Sequence, residues 1–577
     1  MVGRRAITAI LTAFSFVIYS AALPELESSA QARAAAQETV PPYPLTQKDA
    51  VQSRCDELAN SPNDPIKVGP GVPMEEINVR AALPVCEQAA TRQAWRPHFQ
   101  FVYGRVLDAA KRYPEAVRQY SLAAQDGYAL AAINLGLLYQ NGDGVPRDWD
   151  KAAMWFQKAG DSGFADGYAL VGSLYAQSPQ PDFAQAANWA QKSAQAGSAY
   201  GAQTLGWLYL RGKGVQRDPA MAERLYRDAA DKGLTDAMYE LGVMYKDGYG
   251  VQKNPGEAAK WFYEAGRRGH AYAQEELGWM SFTGSGVKRD DRTALGWFLP
   301  AAQAGLVRSQ TAVATIYDEG QVVAKDPAKA VEWYRKAAAQ NGIFAIYQLG
   351  LHYRAGSGVD WSEAEAMRLL KKAGDQGSAE AQYFVAMGYE YGLGQSAGQG
   401  IQDYRQAISW LTRSADLGND YALLELAMLS ENGFAGYKDL QQAKRLYQKA
   451  SNSSNPEIAK YARTCVADLA GTSSEPSARR QETSSSLLPL IVIGGGILGL
   501  AYLFSGPSEH GGPARGSPSV GGYPTTSTGA DWPTSTPAPR TPVCHQVPVE
   551  TSGTVSGSCS VTPTSCGLSG ATRLECN

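Results

Sequence analysis

The chain has 577 residues, with Lys+Arg 53 against Asp+Glu 56, a formal net charge of -3 and 44% hydrophobic residues. One compact core does not extend over such a length, so the chain either divides into domains or elongates by repetition. The near balance of charge leaves no basic footprint and excludes nucleic acid as a partner.

From the N-terminus, Arg4 and Arg5 precede an apolar run over 6–23, and Ala30-Gln31-Ala32 supplies a small-x-small cleavage site. This is the pattern of a signal peptide, 1–32, with a mature chain starting near Arg33. The alternative is an uncleaved anchor, because the run approaches a spanning length. Either reading sends the following residues out of the cytoplasm, to a periplasmic or other extracytoplasmic location. The segment 33–94 contains a Pro-rich, helix-poor stretch bracketed by Cys55 and Cys86. A Cys55–Cys86 disulfide there would close a loop with little core of its own.

Repetition begins further on. The pattern L-G-x-x-Y-x-x-G recurs with its small residue at Gly136, Gly172, Gly206, Gly242, Gly278, Ala314, Gly350, Ala386 and Ala427. Most steps are 36 residues; Gly172 to Gly206 is 34, across a short loop at 179–181, and Ala386 to Ala427 is 41, across a long one at 392–403. Length changes confined to loops mark a repeat architecture. In each unit a first helix, A, carries an apolar residue, the small residue and Tyr, as at Leu241, Gly242 and Tyr245. A glycine turn such as Gly248-Tyr249-Gly250-Val251 ends it, and Asp218-Pro219, Asn254-Pro255 or Asp326-Pro327 starts a second helix, B. Helix B brings the aromatic pairs Trp155-Phe156, Trp261-Phe262, Trp297-Phe298 and Trp333-Tyr334, expected in the core, and closes at Gly233, Gly269 or Gly305.

Small, aromatic, glycine-loop and Asp-Pro positions recurring together resemble the Sel-one-like repeat (SLR), a relative of the tetratricopeptide repeat (TPR). The resemblance covers 129–471 as nine units. Before it, 95–128, with Gly104, Tyr113-Pro114-Glu115-Ala116 and Tyr120, resembles a plain TPR unit serving as an N-terminal cap. The resemblance implies an all-α, right-handed α-solenoid of helix-turn-helix repeats, and a non-catalytic scaffold or adaptor for a protein or peptide partner.

In a stacked array helices A line the concave surface. On helical geometry the residue after the small position faces that groove: Leu137, Ser173, Trp207, Val243, Trp279, Thr315, Leu351, Met387 and Met428. Three before the small position stand Tyr239, Tyr347 and Tyr383; four after it stand Lys246, Phe282, Asp318, Arg354 and Glu390. A largely apolar strip with a charged rim is the character of an interaction site, with Trp207, Trp279 and Phe282 as anchors. The alternative is that a tight superhelix packs these side chains against neighbouring helices A.

After 471 a Ser-rich linker, 472–486, leads to an apolar, uncharged run at 487–504, which reads as one transmembrane helix. Gly495-x-x-x-Gly499 within it would allow close pairing and a homo-oligomer. Arg479 and Arg480 precede it on the exported side, against the positive-inside tendency. The Gly/Pro/Ser/Thr tail, 505–577, cannot bury enough apolar surface to fold alone.

Three patterns could point to chemistry. Gly494-Gly495-Gly496-Ile497-Leu498-Gly499 fits G-x-G-x-x-G, yet no βαβ unit with a following acidic residue surrounds it. Gly394-Gln395-Ser396-Ala397-Gly398 fits the G-x-S-x-G elbow, yet a helix rather than a strand precedes it. His98, His270, His352, His510 and His545 stand singly, and Cys544, Cys559, Cys566 and Cys576 lack ribbon spacing, while Cys465 stands alone. The expectation is therefore no enzyme, no cofactor and no metal. The second reading is an envelope enzyme or cell-wall-associated factor using the repeats as a binding platform.

Overall fold

The computed structural model describes residues 49–64, 71–92, 96–392, 403–434 and 438–471. These form 23 α-helices and one 3-10 turn, Met74–Glu76, with no strand among the described residues. The signal-type run, the 487–504 span, the tail and both glycine motifs lie outside them. Among the described residues no helix is long and apolar enough to cross a membrane.

The repeating element is a helical hairpin. In the fourth unit helix A is Thr235–Asp247 and helix B is Pro255–Gly266. Helix A stops at Gly248, whose φ of 82° is the left-handed conformation glycine adopts without steric cost; its N–H is donated to the Met244 carbonyl. Asn254 then works in both directions. Its N–H is donated to the Tyr245 carbonyl at 2.8 Å, and its Oδ1 accepts from the Glu257 N–H at 3.1 Å. One residue thus satisfies an orphan carbonyl of helix A and an orphan donor of helix B. Asp218 and Asp326 repeat this, capping the Met221 and Lys329 N–H groups at 3.0 Å each, as the Asp-Pro pattern predicts.

The second glycine of the turn serves the stack. Gly250 has φ 72°, and a Cβ placed there would lie 2.2 Å from Cβ of Pro219, the first residue of helix B in the preceding unit. No side chain fits in that gap, so the loop of one unit seats directly on the helix before it.

Within the hairpin, the small residue of helix A meets an aromatic ring of helix B at Gly136, Gly206, Gly242 and Gly278, whereas Gly350 meets Leu370 and Gly172 the backbone of Ala186. A Cβ added at Gly242 would lie 2.4 Å from Cε1 of Phe262, and at Gly278 2.4 Å from Cδ1 of Phe298. The rings of Phe156, Phe262, Phe298 and Tyr334 are fully buried. Their partners in the pairs differ from the expectation: Trp155, Trp261, Trp297 and Trp333 are only half-buried. At 100° per residue the preceding ring turns off the core. Two of these indoles lie under cations, with Lys158 Nζ 5.0 Å from Trp155 and Lys336 Nζ 3.8 Å from Trp333.

The array is closed at both ends. The stretch expected to be helix-poor holds two helices, Ala50–Ala59 and Val79–Ala90, joined by the Cys55–Cys86 disulfide with a Cα–Cα distance of 4.9 Å. Proline misleads here because Pro84 lies inside the second helix. Its penalty of about 3 kcal/mol in a free helix is comparable to the roughly 3 kcal/mol a disulfide contributes over such a loop. The cap is thus deeper than the 95–128 hairpin, Arg96–Ala109 and Tyr113–Gln125, taken alone.

Charge pins these layers together. His98 is fully buried, with Nε2 2.7 Å from Asp56 Oδ1 and Nδ1 2.9 Å from Asp64 Oδ2, and the Tyr128 hydroxyl donates to Asp64 Oδ2 at 2.6 Å. Arg105 donates to the carbonyls of Ala59 at 2.6 Å and Val72 at 2.8 Å. Burial alone would lower the His98 pKa, but the Asp64 charge and the bonds to Asp56 and Asp64 outweigh it and push the group up to about 9. At the far end, a single helix, Pro456–Leu469, follows the last hairpin, Asp420–Asn432 and Leu440–Ala450, and buries Cys465 against it.

Gly278→Ala should lower stability by about 1–3 kcal/mol, the usual cost of overpacking; an unchanged urea midpoint would show that the ring contact is not tight. For His98 the folded pKa lies above the unfolded one, so its contribution is complete below pH 6.5 and lost as pH rises to about 9. Melting temperature should fall across that window, and His98→Gln should remove that slope.

Candidate interaction face

The strip expected to line the groove divides in two. Leu137, Trp207, Tyr239, Val243, Phe282 and Leu351 are half-buried. Trp279, Tyr347, Tyr383 and Met387 are buried. For Trp279 the placement corrects the expectation of an anchor. It is 7% exposed, stands edge-on to Phe298 with ring centroids 4.9 Å apart, and carries the Arg308 guanidinium 5.4 Å from its ring. Arg308 belongs to the next helix A, Val307–Glu319. The strip is therefore a seam between successive A helices more than an open surface.

Aromatics also recur in the first turn of helix A, exposed at Tyr272 and half-buried at Tyr200, Phe344 and Tyr421. Six residues before the small position, just inside the start of helix A, stand Tyr200, Tyr272, Phe344 and Tyr421. Tyr272 is 44% exposed, and its ring is 6.2 Å from Tyr239 of the preceding unit, which in turn stacks on His270 at 4.8 Å. Tyr421 stands 6.1 Å from Tyr383 in the same way. Between them Tyr347 bridges Phe344 at 6.2 Å and Phe384 at 6.0 Å. Aromatic side chains thus pass from the fourth unit to the fifth, and again from the seventh through the eighth to the ninth, with Arg308 at the equivalent place in the sixth. The sequence carries the signal for this column as well, since an aromatic occupies the place in alternate units.

Carboxylates accompany the aromatics. Lys246 Nζ lies 3.0 Å from Glu276 Oε1, Arg308 Nη1 3.2 Å from Glu275 Oε1, and His352 Nε2 3.3 Å from Asp318 Oδ2. Burial pushes the Glu240 carboxyl up to about 7, against the nearby charge of Arg211. Burial and the charge of Glu390 together push Glu425 up to about 8. Among the described residues no group of three or more His, Cys, Asp or Glu is placed to hold a metal ion. The polar cluster around His98 is closed to solvent, so it acts on the fold rather than on a ligand.

An all-α stack of two-helix units with one face of each unit left for contact defines a repeat protein of the interaction class. The family model for the Sel1 repeat matches nine consecutive segments: 129–164, 165–198, 202–234, 235–270, 271–306, 307–342, 343–378, 379–419 and 420–455. The chain belongs to the Sel1 repeat family, within the TPR-like class. The last segment ends before the closing helix, which is an addition to the nine units. Among solved structures, the chain is similar to a protective antigen present in uropathogenic Escherichia coli strains that displays an SLR fold. The identity is 25% and the TM-score 0.54, over 75% of this chain and 99% of that one. It also matches a Sel1 repeat protein from Oxalobacter formigenes at 27% identity and a TM-score of 0.37, over 43% of this chain and 96% of that one. No curated protein matches the chain. Repeat proteins of this family generally serve as protein-interaction scaffolds.

Trp279→Ala should cost about 3–5 kcal/mol of stability, as for other buried aromatics. Tyr272→Ala should change it by no more than about 0.5 kcal/mol. Equal losses in denaturant titrations of the two variants would erase the distinction between seam and open edge.

Proposed function

We propose that this chain is a non-catalytic scaffold or adaptor, held at a membrane through 487–504 with its repeats outside the cytoplasm, that binds an extended protein or peptide along its A-helix face. The observation that carries the reading is the open edge of the aromatic run, Tyr272 above all. A half-exposed ring packed against the half-buried Tyr239 and His270 rings offers apolar area with little entropy left to lose, which is the quality of an interface anchor. Carboxylates at the same edge add polar selectivity. The array matches the mode in which a repeat surface reads several residues of one partner at fixed spacing. The export pattern and the apolar run at 487–504 support the anchored, extracytoplasmic arrangement.

A photoreactive side chain at position 272, activated in intact cells, should capture a defined protein in the membrane fraction. Protease added outside the cytoplasmic membrane should cleave the repeats. Crosslinks confined to this chain would remove the scaffold reading, and protection from protease would remove the orientation.

A further inference from the structure

Where one helix A meets the next, the residue four after the small position of one unit lies near the residue two before the small position of the next. Between Gly242 and Gly278 this pair is Lys246 with Glu276, a salt bridge of 3.0 Å. Between Gly350 and Ala386 it is Arg354 over the Phe384 ring, at 5.7 Å. Between Ala386 and Ala427 it is Glu390 with Glu425, two carboxyls hydrogen-bonded to each other. The first two steps bring a cation to the site, and the third brings none.

The third step is unlike a satisfied structural pair in a second respect. Glu390 is only 9% exposed, and its Oε2 is buried without a hydrogen-bond partner. Only Glu390 acts on Glu425 electrostatically, with no basic group near either among the described residues. The intervening segment 393–402 contains no charged residue, so its composition supplies no counter-ion. Tyr383 and Tyr391 stand close enough to feel both carboxylates, with Tyr421 beside Tyr383 and Tyr404 beside Tyr391. Tyr391 is 48% exposed and leaves the rim open.

We propose that Glu390 and Glu425 form a receptor for one basic side chain, arginine or lysine, of the partner. This rests on the A-helix face being the binding face. Two adjacent carboxyls, Glu390 buried and Glu425 half-buried, hold one proton between them because both cannot readily ionise in that setting. An arriving guanidinium or ammonium supplies the missing positive charge, and the shared proton leaves to the buffer. The carboxylates then accept charge-assisted hydrogen bonds, and the tyrosine faces are suited to cation–π contact. At two other steps Lys246 and Arg354 supply a cation from within the chain; at this one it comes from the partner. The bound segment therefore places a basic residue over the eighth and ninth units.

Calorimetric titration of the detergent-solubilised full chain tests this with two probe peptides: acetyl-(Gly-Arg-Gly-Ser)3-amide, and the same peptide with citrulline replacing arginine. At pH 7 the arginine peptide should bind at least about tenfold tighter, with a proton released on binding, read from buffers of different ionisation enthalpy. The Glu390→Gln, Glu425→Gln double variant should lose that preference while melting no lower than the parent, and Glu276→Gln should retain it. Equal binding of both peptides to the parent, or a preference that survives the double variant, overturns the inference. If both peptides bind equally and still compete with the crosslink from position 272, the binding face stands and only the basic receptor falls.

Discussion

The close approach of a helix A glycine to a helix B ring is the contact on which the remaining structure depends. At Gly242 and Gly278 the ring occupies the volume a Cβ would need, so the two helices of a hairpin come together at a distance set by the thickness of an aromatic ring. That fixes which face of helix A is spent inside the unit. Alanine holds the small position at 314, 386 and 427, where the partner helix must leave room for its Cβ.

Once one face of helix A is spent on its own hairpin, a second must be spent on the next unit, because a lone hairpin cannot bury its apolar surface. Trp279, Tyr347, Tyr383 and Met387 are consumed in this way. The seam leaves the first turn of helix A open at Tyr272, whereas Tyr200 and Tyr421 at the equivalent place are half-buried. Trp279 and Tyr272 stand seven residues apart on one helix A, so they share a face and differ in place along the helix axis and not in rotation.

A stack also exposes apolar surface at its ends. The N-terminal end is met by covalent and ionic means together, a disulfide and an imidazolium held between two carboxylates. The C-terminal end is met by packing, through the single helix Pro456–Leu469. The asymmetry follows from size: the leading segment has a small core and needs cross-links, whereas the closing helix lies on a finished hairpin.

The sequence by itself determined the period and the capping residues such as Asn254 and Asp218. These depend on local backbone rules and short spacing, which a single chain displays directly. It did not reveal the helix around Pro84, because a tertiary disulfide offsets a local penalty of similar size. Nor did it separate Phe262 from Trp261, or Trp279 from Tyr272, as buried or accessible. Those distinctions depend on the angle at which each unit meets the next. That angle is the sum of many contacts between residues far apart in sequence, and only the tertiary structure decided it.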